Sequence, residues 1–554
     1  MKKVIVLAIM LMLFGAMALT GCGNSGDDSS SVENVEVMTQ NGNMIGVMEN
    51  DVASFKGVPF AKAPVGDLRW KKPEAPDPST EDVDATEYGY AALQTVWHSE
   101  AASFNEKSED CLTLNIWTKA ANETDAKKPV MVFIHGGAHG WGGSSDPLYD
   151  GQNFAEANGD DVILVTVNYR VNMMGFIDFS SVPGGEEFPD APWLGLYDNI
   201  RALEWIQENI TEFGGDPDNV TIFGESAGGA QVSLLPLMEE AEGLFDKVIA
   251  QSGSVYLTSS KEECQTLTDI IMEKTGAEDM DDLMALSEDE INELVEYTLN
   301  YEDEEAGIYG GVYNYPMRDG EVLPETVSEL CEAYSESPAK DIIYMTGTNE
   351  NEYNYWLGEM TGKDEPDALP TEEDYQIFYY SYEDLLDSLI GEGSDKDEDM
   401  AYFKELLEKR GIKEKIWQSV EYINETYFRI PAITEAENHA GATYMYYWKH
   451  PSNIEDYGAC HAVDLAYVFN NLQETAFTGE NPDANLAKKV QEAWVSFAKT
   501  GVPSVEGEPE WPEYDKDTRA TMIINNTAEN EHWTIENDPL SEERIIFQKR
   551  LENE

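Results

Sequence analysis

The 554-residue sequence predicts an α/β fold with a central, mostly parallel sheet flanked by helices, and three observations carry that expectation. Two runs, Pro129 to Ile134 and Val162 to Val167, are nearly continuous in apolar and β-branched residues, as strands buried on both faces are. Between Leu194 and Ile210 the residues Leu196, Ile200, Leu203, Ile206 and Ile210 recur at helical spacing. A short strand, Val220 to Phe223, follows, and strand, helix, strand is the pattern of a parallel sheet with crossover helices.

Taken in order, the chain opens with Lys2 and Lys3, the apolar run Val4 to Leu19, and then Leu19-Thr20-Gly21-Cys22. A charged start, a short apolar stretch and small residues make residues 1–21 a signal peptide, too short in its apolar part for a spanning helix. Its end resembles the lipobox of bacterial lipoproteins, which implies lipidation at Cys22 and an exported chain anchored to the membrane there. Residues 22–34, rich in Ser, Gly and Asp, read as a flexible tether. From residue 35 to 554 we expect one catalytic domain. Val35 to Val47 alternates apolar and polar residues around Asn41-Gly42, the signal of a hairpin with a two-residue turn at positive φ. Residues 276–305 and 372–415 are acidic and rich in Leu, Glu and Lys, and are expected as helical cap insertions. Ile342 to Met345 reads as a further strand.

Composition is that of a globular protein, with 42% hydrophobic and 11% aromatic residues, enough for a sizeable core. Against 35 basic side chains stand 108 acidic ones, a net charge of −73 that repels nucleic acid and anionic membranes. Any membrane attachment therefore rests on lipid chains rather than on the protein surface. Apart from Cys22, the cysteines Cys111, Cys264, Cys331 and Cys460 are scattered, without a C-x-x-C pair or a metal-site pattern, and are expected mostly free. No cofactor is required by any motif.

Gly224-Glu225-Ser226-Ala227-Gly228 carries the chemistry: a G-x-S-x-G elbow directly after one predicted strand and directly before the apolar-rich Ala230 to Leu237. Its glycines permit a tight turn that pushes the serine hydroxyl out, and the following helix aims its positive end at the site. Upstream, His135-Gly136-Gly137-Ala138 follows the strand Pro129 to Ile134. Small residues there expose backbone N–H groups, so Gly137 and Ala138, with Ala227 after the nucleophile, are candidate oxyanion donors. His135 is expected to support that loop, and Trp141 to line a pocket or the core. In this architecture the triad runs serine, acid, histidine, which leaves His439, His450, His461 and His532 as bases. His461 stands out, in Gly458-Ala-Cys-His461 just before the apolar Ala462 to Phe469. For the acid, Glu350 and Glu352 both follow the strand Ile342 to Met345, and local sequence leaves the two open.

Dispersed motifs then match one family in order. They are Phe55-Lys-Gly-Val-Pro-Phe-Ala61 with Pro64 to Arg69; Ser108 to Leu112 with Leu114 to Trp117; the His135 glycine run; Asn168-Tyr-Arg170 with Gly175-Phe176; Phe213 to Pro217; the elbow; Gln251-Ser-Gly253; Gly458-Ala459 with His461; and Trp494 to Gly501. The chain resembles the type-B carboxylesterases, which include bacterial para-nitrobenzyl esterases and animal cholinesterases. The resemblance implies the α/β-hydrolase fold and ester hydrolysis through an acyl-enzyme. It implies Ser226 as nucleophile, Glu352 rather than Glu350 as orienting acid, His461 as general base, Gly137, Ala138 and Ala227 as oxyanion donors, and a small-molecule ester as substrate. Amide or carbamate hydrolysis by the same triad is the alternative within enzymes; a non-catalytic adhesion protein on this fold, or a solute-binding lipoprotein, are the alternatives outside them. Three positions depart from the family pattern: Ala92 replaces a cysteine that would pair with Cys111, Asp464 a glutamate, and Tyr353 a glycine.

Overall fold

The computed structural model describes residues 33–95, 106–303, 311–335, 338–356, 396–413, 415–526 and 532–551. The leader, Cys22 and most of the tether lie outside these residues. Among the described residues, thirteen strands form one sheet in the order β1-β2-β3-β5-β7-β6-β8-β9-β12-β13-β14-β15, with β4 attached to β2. The strands are β1 (Glu33–Thr39), β2 (Asn41–Glu49), β3 (Val52–Pro59), β4 (Ser79–Asp84), β5 (Thr113–Thr118), β6 (Lys128–Ile134), β7 (Ile163–Val167), β8 (Gly215–Glu225), β9 (Lys247–Gln251), β12 (Ile343–Asn349), β13 (Thr443–Trp448), β14 (Ala520–Ile524) and β15 (Thr534–Asn537); β10 (Ser259–Ser260) and β11 (Met317–Arg318) form a separate pair. From β7 through β14 neighbouring strands are parallel; the margins are largely antiparallel.

Alternation along the central strands explains the two helical layers. Val130, Val132 and Ile134 of β6 point to one face and Met131 and Phe133 to the other, as the two-residue period of a strand requires. The first face is covered by the helix Leu194–Asn209 through Leu196, Ile200, Leu203 and Ile206. Helices Leu465–Phe469 and Ala484–Thr500 cover the second, with Trp494 and Phe497 fully buried. Two motif arginines are structural: Arg170 grips Asp198 with Nε at 2.8 Å and Nη2 at 2.6 Å, and Arg69 meets Glu109 at 2.5 and 2.7 Å, all buried.

The hairpin forms one residue earlier than its sequence signal. Thr39 pairs with Gly42, so Gln40 and Asn41 make the turn. Thr39 draws it there: its hydroxyl donates to Gly42 O at 2.9 Å and accepts the Asn41 N–H at 3.1 Å. Gly42 is needed for a different reason, since its φ is +146° and a Cβ would lie 2.8 Å from Val83. Within residues 276–305, helices form at Met280–Met284 and Glu288–Leu299, the latter begun by a capping box between Ser287 and Glu290. Within 372–415 the described part holds the helix Lys396–Lys409, and residues 372–395 lie outside the described residues. Cys111, Cys264, Cys331 and Cys460 are free thiols, all buried.

Candidate active site

The Gly137–Ala138 loop, Ser226 and Glu352 each sit just past the carboxyl end of a parallel strand, and His461 lies in the longer segment after β13, on the side where open α/β sheets place their ligands. Ser226 follows β8 directly, at φ 59° and ψ −124°, and caps the helix Ala227–Leu234. A non-glycine residue in that region stores about 1–3 kcal/mol of strain, held by its surroundings. The Ser226 N–H is tied to Gln251 O at 2.9 Å at the end of β9. Gly228 is required by close approach: a Cβ there would lie 2.0 Å from Ile134 O. Ser226 itself is partly exposed among buried neighbours.

The loop after β6 packs its backbone against this turn. A Cβ on Gly136 would lie 2.7 Å from Glu225 O and 3.0 Å from Ser226 Cβ. Gly137 and Ala138 follow with φ of 103° and 50°, and neither N–H donates to a partner among the described residues. Ala227 is the first residue of its helix, where an N–H has no intrahelical acceptor. Beneath the loop, His135 is buried, stacked on Tyr169 at 4.3 Å, and its carbonyl accepts the Tyr169 hydroxyl at 2.8 Å. Burial pulls the His135 imidazole down to about 4, so it is neutral. Trp141 is partly exposed and meets Tyr313 edge-on at 5.7 Å.

His461 Nδ1 lies 2.7 Å from Glu352 Oε2, and the His461 N–H donates to Glu352 O at 3.1 Å. Glu352 is wholly buried, its Oε1 accepting the Asn349 N–H at 2.6 Å. Glu350 turns away, its side chain 32% exposed and its carboxylate 3.7 Å from Lys449 Nζ. Trp356 and Phe428 cover the imidazole, with ring centroids 4.7 and 5.2 Å away. The other histidines after Ser226 are engaged elsewhere: His439 stacks on Tyr344, His450 packs on Tyr467, and His532 is exposed beside Glu508.

Two carboxylates at this site were not singled out as site residues by sequence reasoning. Glu225 brings Oε1 to 3.1 Å from His461 Nε2, in ion-pair range though not aligned as a hydrogen bond. Asp464 is fully buried three residues after His461. The signal for Glu225 was present, because the variable residue of the elbow is fixed beside the serine; what it faces depends on a loop over two hundred residues downstream. Burial opposes the charge on His461, but Glu225, Glu352 and Asp464 outweigh it and lift the imidazole to about 9. Burial likewise pushes Glu225 up to about 8, against the pull of His461. Among the described residues no cluster of His, Cys, Asp or Glu is arranged to hold a metal ion.

Comparison with known proteins agrees with this architecture. The model of the carboxylesterase family matches residues 33–542. Para-nitrobenzyl esterase of Bacillus subtilis (strain 168) is 36% identical over 523 residues, covering 92% of this chain and 97% of that one. Carboxylesterase 1C of Mus musculus is 32% identical over 524 residues, covering 88% of each. Among solved structures, a carboxylesterase of Geobacillus stearothermophilus at pH 6.2 superposes with a TM-score of 0.76 at 33% identity, covering 93% of this chain and all of that one. The chain belongs to the carboxylesterase family, on the α/β-hydrolase fold, and is a serine-dependent hydrolase of carboxylic esters.

Proposed function

We propose that Ser226 is the nucleophile, His461 the general base and Glu352 the acid that orients it, with Gly137, Ala138 and Ala227 supplying the oxyanion N–H groups. The observation that carries the reading is the 2.7 Å contact of Glu352 with His461 Nδ1, which leaves Nε2 as the nitrogen that handles the transferred proton. His461 takes the Ser226 hydroxyl proton as Oγ attacks the ester carbonyl. The three N–H groups hold the oxyanion, each worth about 3 kcal/mol to the transition state. Collapse breaks the bond to the alcohol oxygen, which leaves with the proton from His461. Water then attacks the acyl-enzyme by the same route and frees the acid and Ser226.

Hydrolysis of para-nitrophenyl esters from acetate to long-chain acyl, by the chain lacking residues 1–22, tests the reading beside its Ser226→Ala variant. The variant is expected to lose at least about 10⁴-fold in kcat. Retained turnover in that variant removes Ser226 from the mechanism.

Lipidation of Cys22 and anchoring of the exported chain to the membrane are part of the same proposal, supported by the charged start, the apolar run and the Leu19-Thr-Gly-Cys22 ending. The acidic chain has no electrostatic reason to bind an anionic bilayer, so two or more acyl chains would hold it there. Full-length chain expressed in a bacterium fed a radiolabelled fatty acid should take up label and sediment with membranes, and Cys22→Ser should do neither. Equal labelling of both would remove Cys22 as the anchor.

A further inference from the structure

Gln251 occupies the end of β9, between β8 and β12, with no exposed surface. Its carbonyl accepts the Ser226 N–H at 2.9 Å. Its side-chain Nε2 donates to Asp464 Oδ2 at 2.6 Å, and its Oε1 accepts the Trp494 indole N–H at 3.1 Å. An indole nitrogen can only donate, so Trp494 fixes which end of the amide is oxygen and leaves the NH₂ facing Asp464. Asp464 is just as buried and stands three residues beyond His461. One residue therefore holds the nucleophile turn by its main chain and the histidine loop by its side chain.

We propose that Gln251 is a positioning residue for ester hydrolysis, which keeps Asp464 ionised beside His461 while tying that loop to the Ser226 turn. This rests on the roles assigned to Ser226 and His461 above. Burial and the Glu352 carboxylate after β12 oppose the charge on Asp464, and the Gln251 amide is the strongest of the hydrogen bonds that favour it, ahead of a backbone N–H and the Asn349 side chain. Glu225 at the end of β8, Tyr446 on β13 and Cys460 in its own loop are the other titratable groups near it, with His461 the one group there that can be positive. A buried carboxylate that loses its donor among like charges takes up a proton. Uncharged, Asp464 no longer helps His461 hold its proton, and the imidazole becomes a free base at lower pH.

The test is the pH profile of kcat/KM for a para-nitrophenyl ester with the mature chain and four variants. Gln251→Met, which removes the donor, should move the midpoint of the rising limb to lower pH by about 0.5 or more. Asp464→Asn still accepts from Gln251 but lacks charge, and should move it the same way. The double variant should move no further than the larger single, because both remove the same charge. Gln251→Glu still accepts from Trp494 but must share a proton with Asp464, so its profile should fall again at alkaline pH. That variant also decides the matter if Gln251→Met does not fold.

An unmoved limb in Gln251→Met, displacements that add in the double variant, or a wild-type plateau in Gln251→Glu would each overturn the proposal. Ser226→Ala, run alongside, separates these outcomes from failure of the underlying mechanism, since activity persisting there would discredit the triad itself.

Discussion

Replacing Glu225 by Gln should let His461 give up its proton at lower pH. Two elementary charges 3.1 Å apart attract by about 5 kcal/mol at an effective dielectric near 20. Desolvation of both groups offsets much of that, and the net result is an imidazole lifted from 6.5 to about 9, worth about 3 kcal/mol of extra hold on its proton. The Coulombic pull of Glu225 is the largest single attractive contribution, and Glu352 adds both a hydrogen bond and its charge. Its amide isostere should lower the midpoint of the rising limb by about 1 or more on the pH scale. A raised base keeps its proton to higher pH, so the wild-type rate climbs toward about pH 9. The variant's climb comes earlier, and between about pH 8 and 9, where Glu225 is charged in the wild type, more of its imidazole is neutral. The assay is kcat/KM against pH from 5 to 10 with a para-nitrophenyl ester, at constant ionic strength. A midpoint that stays put or moves up would refute the reasoning, because the proton on His461 would then not be held by Glu225.

Three further outcomes follow from the same structure. Gly136→Ala places a methyl 3.0 Å from Ser226 Cβ and should cut kcat about 100-fold or more by displacing the loop proposed to bind the oxyanion, with circular dichroism unchanged. Arg170→Met leaves the Asp198 carboxylate buried without its bidentate partner and should cost about 3–5 kcal/mol in urea unfolding. Glu435 is fully buried and accepts from Val255 N–H, Tyr344 Oη and Ser233 Oγ, with no ion pair to it among the described residues, and burial lifts its carboxyl to about 7. Because the fold holds that proton more tightly than the open chain does, this contribution is whole below about pH 4.5 and is lost as pH rises through about 7. Glu435→Gln should make the decline in stability over that range shallower, and a decline as steep as wild type would contradict the assignment.

How much of this was legible in the sequence depended on the range of the interaction. The runs at residues 129–134 and 162–167 and the period of 194–210 became β6, β7 and the helix Leu194–Asn209 within a residue or two at each end. The strand expected at 220–223 began five residues earlier, at Gly215, because β6 offers pairing partners back to Lys128. The hairpin turn slipped by one residue because a threonine hydroxyl, invisible to a rule based on Asn-Gly, set its register. For the acid, the local sequence offered Glu350 and Glu352 equally. Only burial separates them, with one sealed against His461 and the other 32% exposed toward Lys449.

The sequence by itself determined the sheet, the helix that crosses it and the elbow that carries Ser226, because each follows from residues within a turn or a strand of one another. The tertiary structure alone decided that Glu225, Glu352 and Asp464 share one buried imidazole and that Gln251 links that imidazole's loop to the serine. Charges and donors over a hundred residues apart meet only once the strands have chosen their order, and the strength of each contact is set by how completely the fold removes water from it.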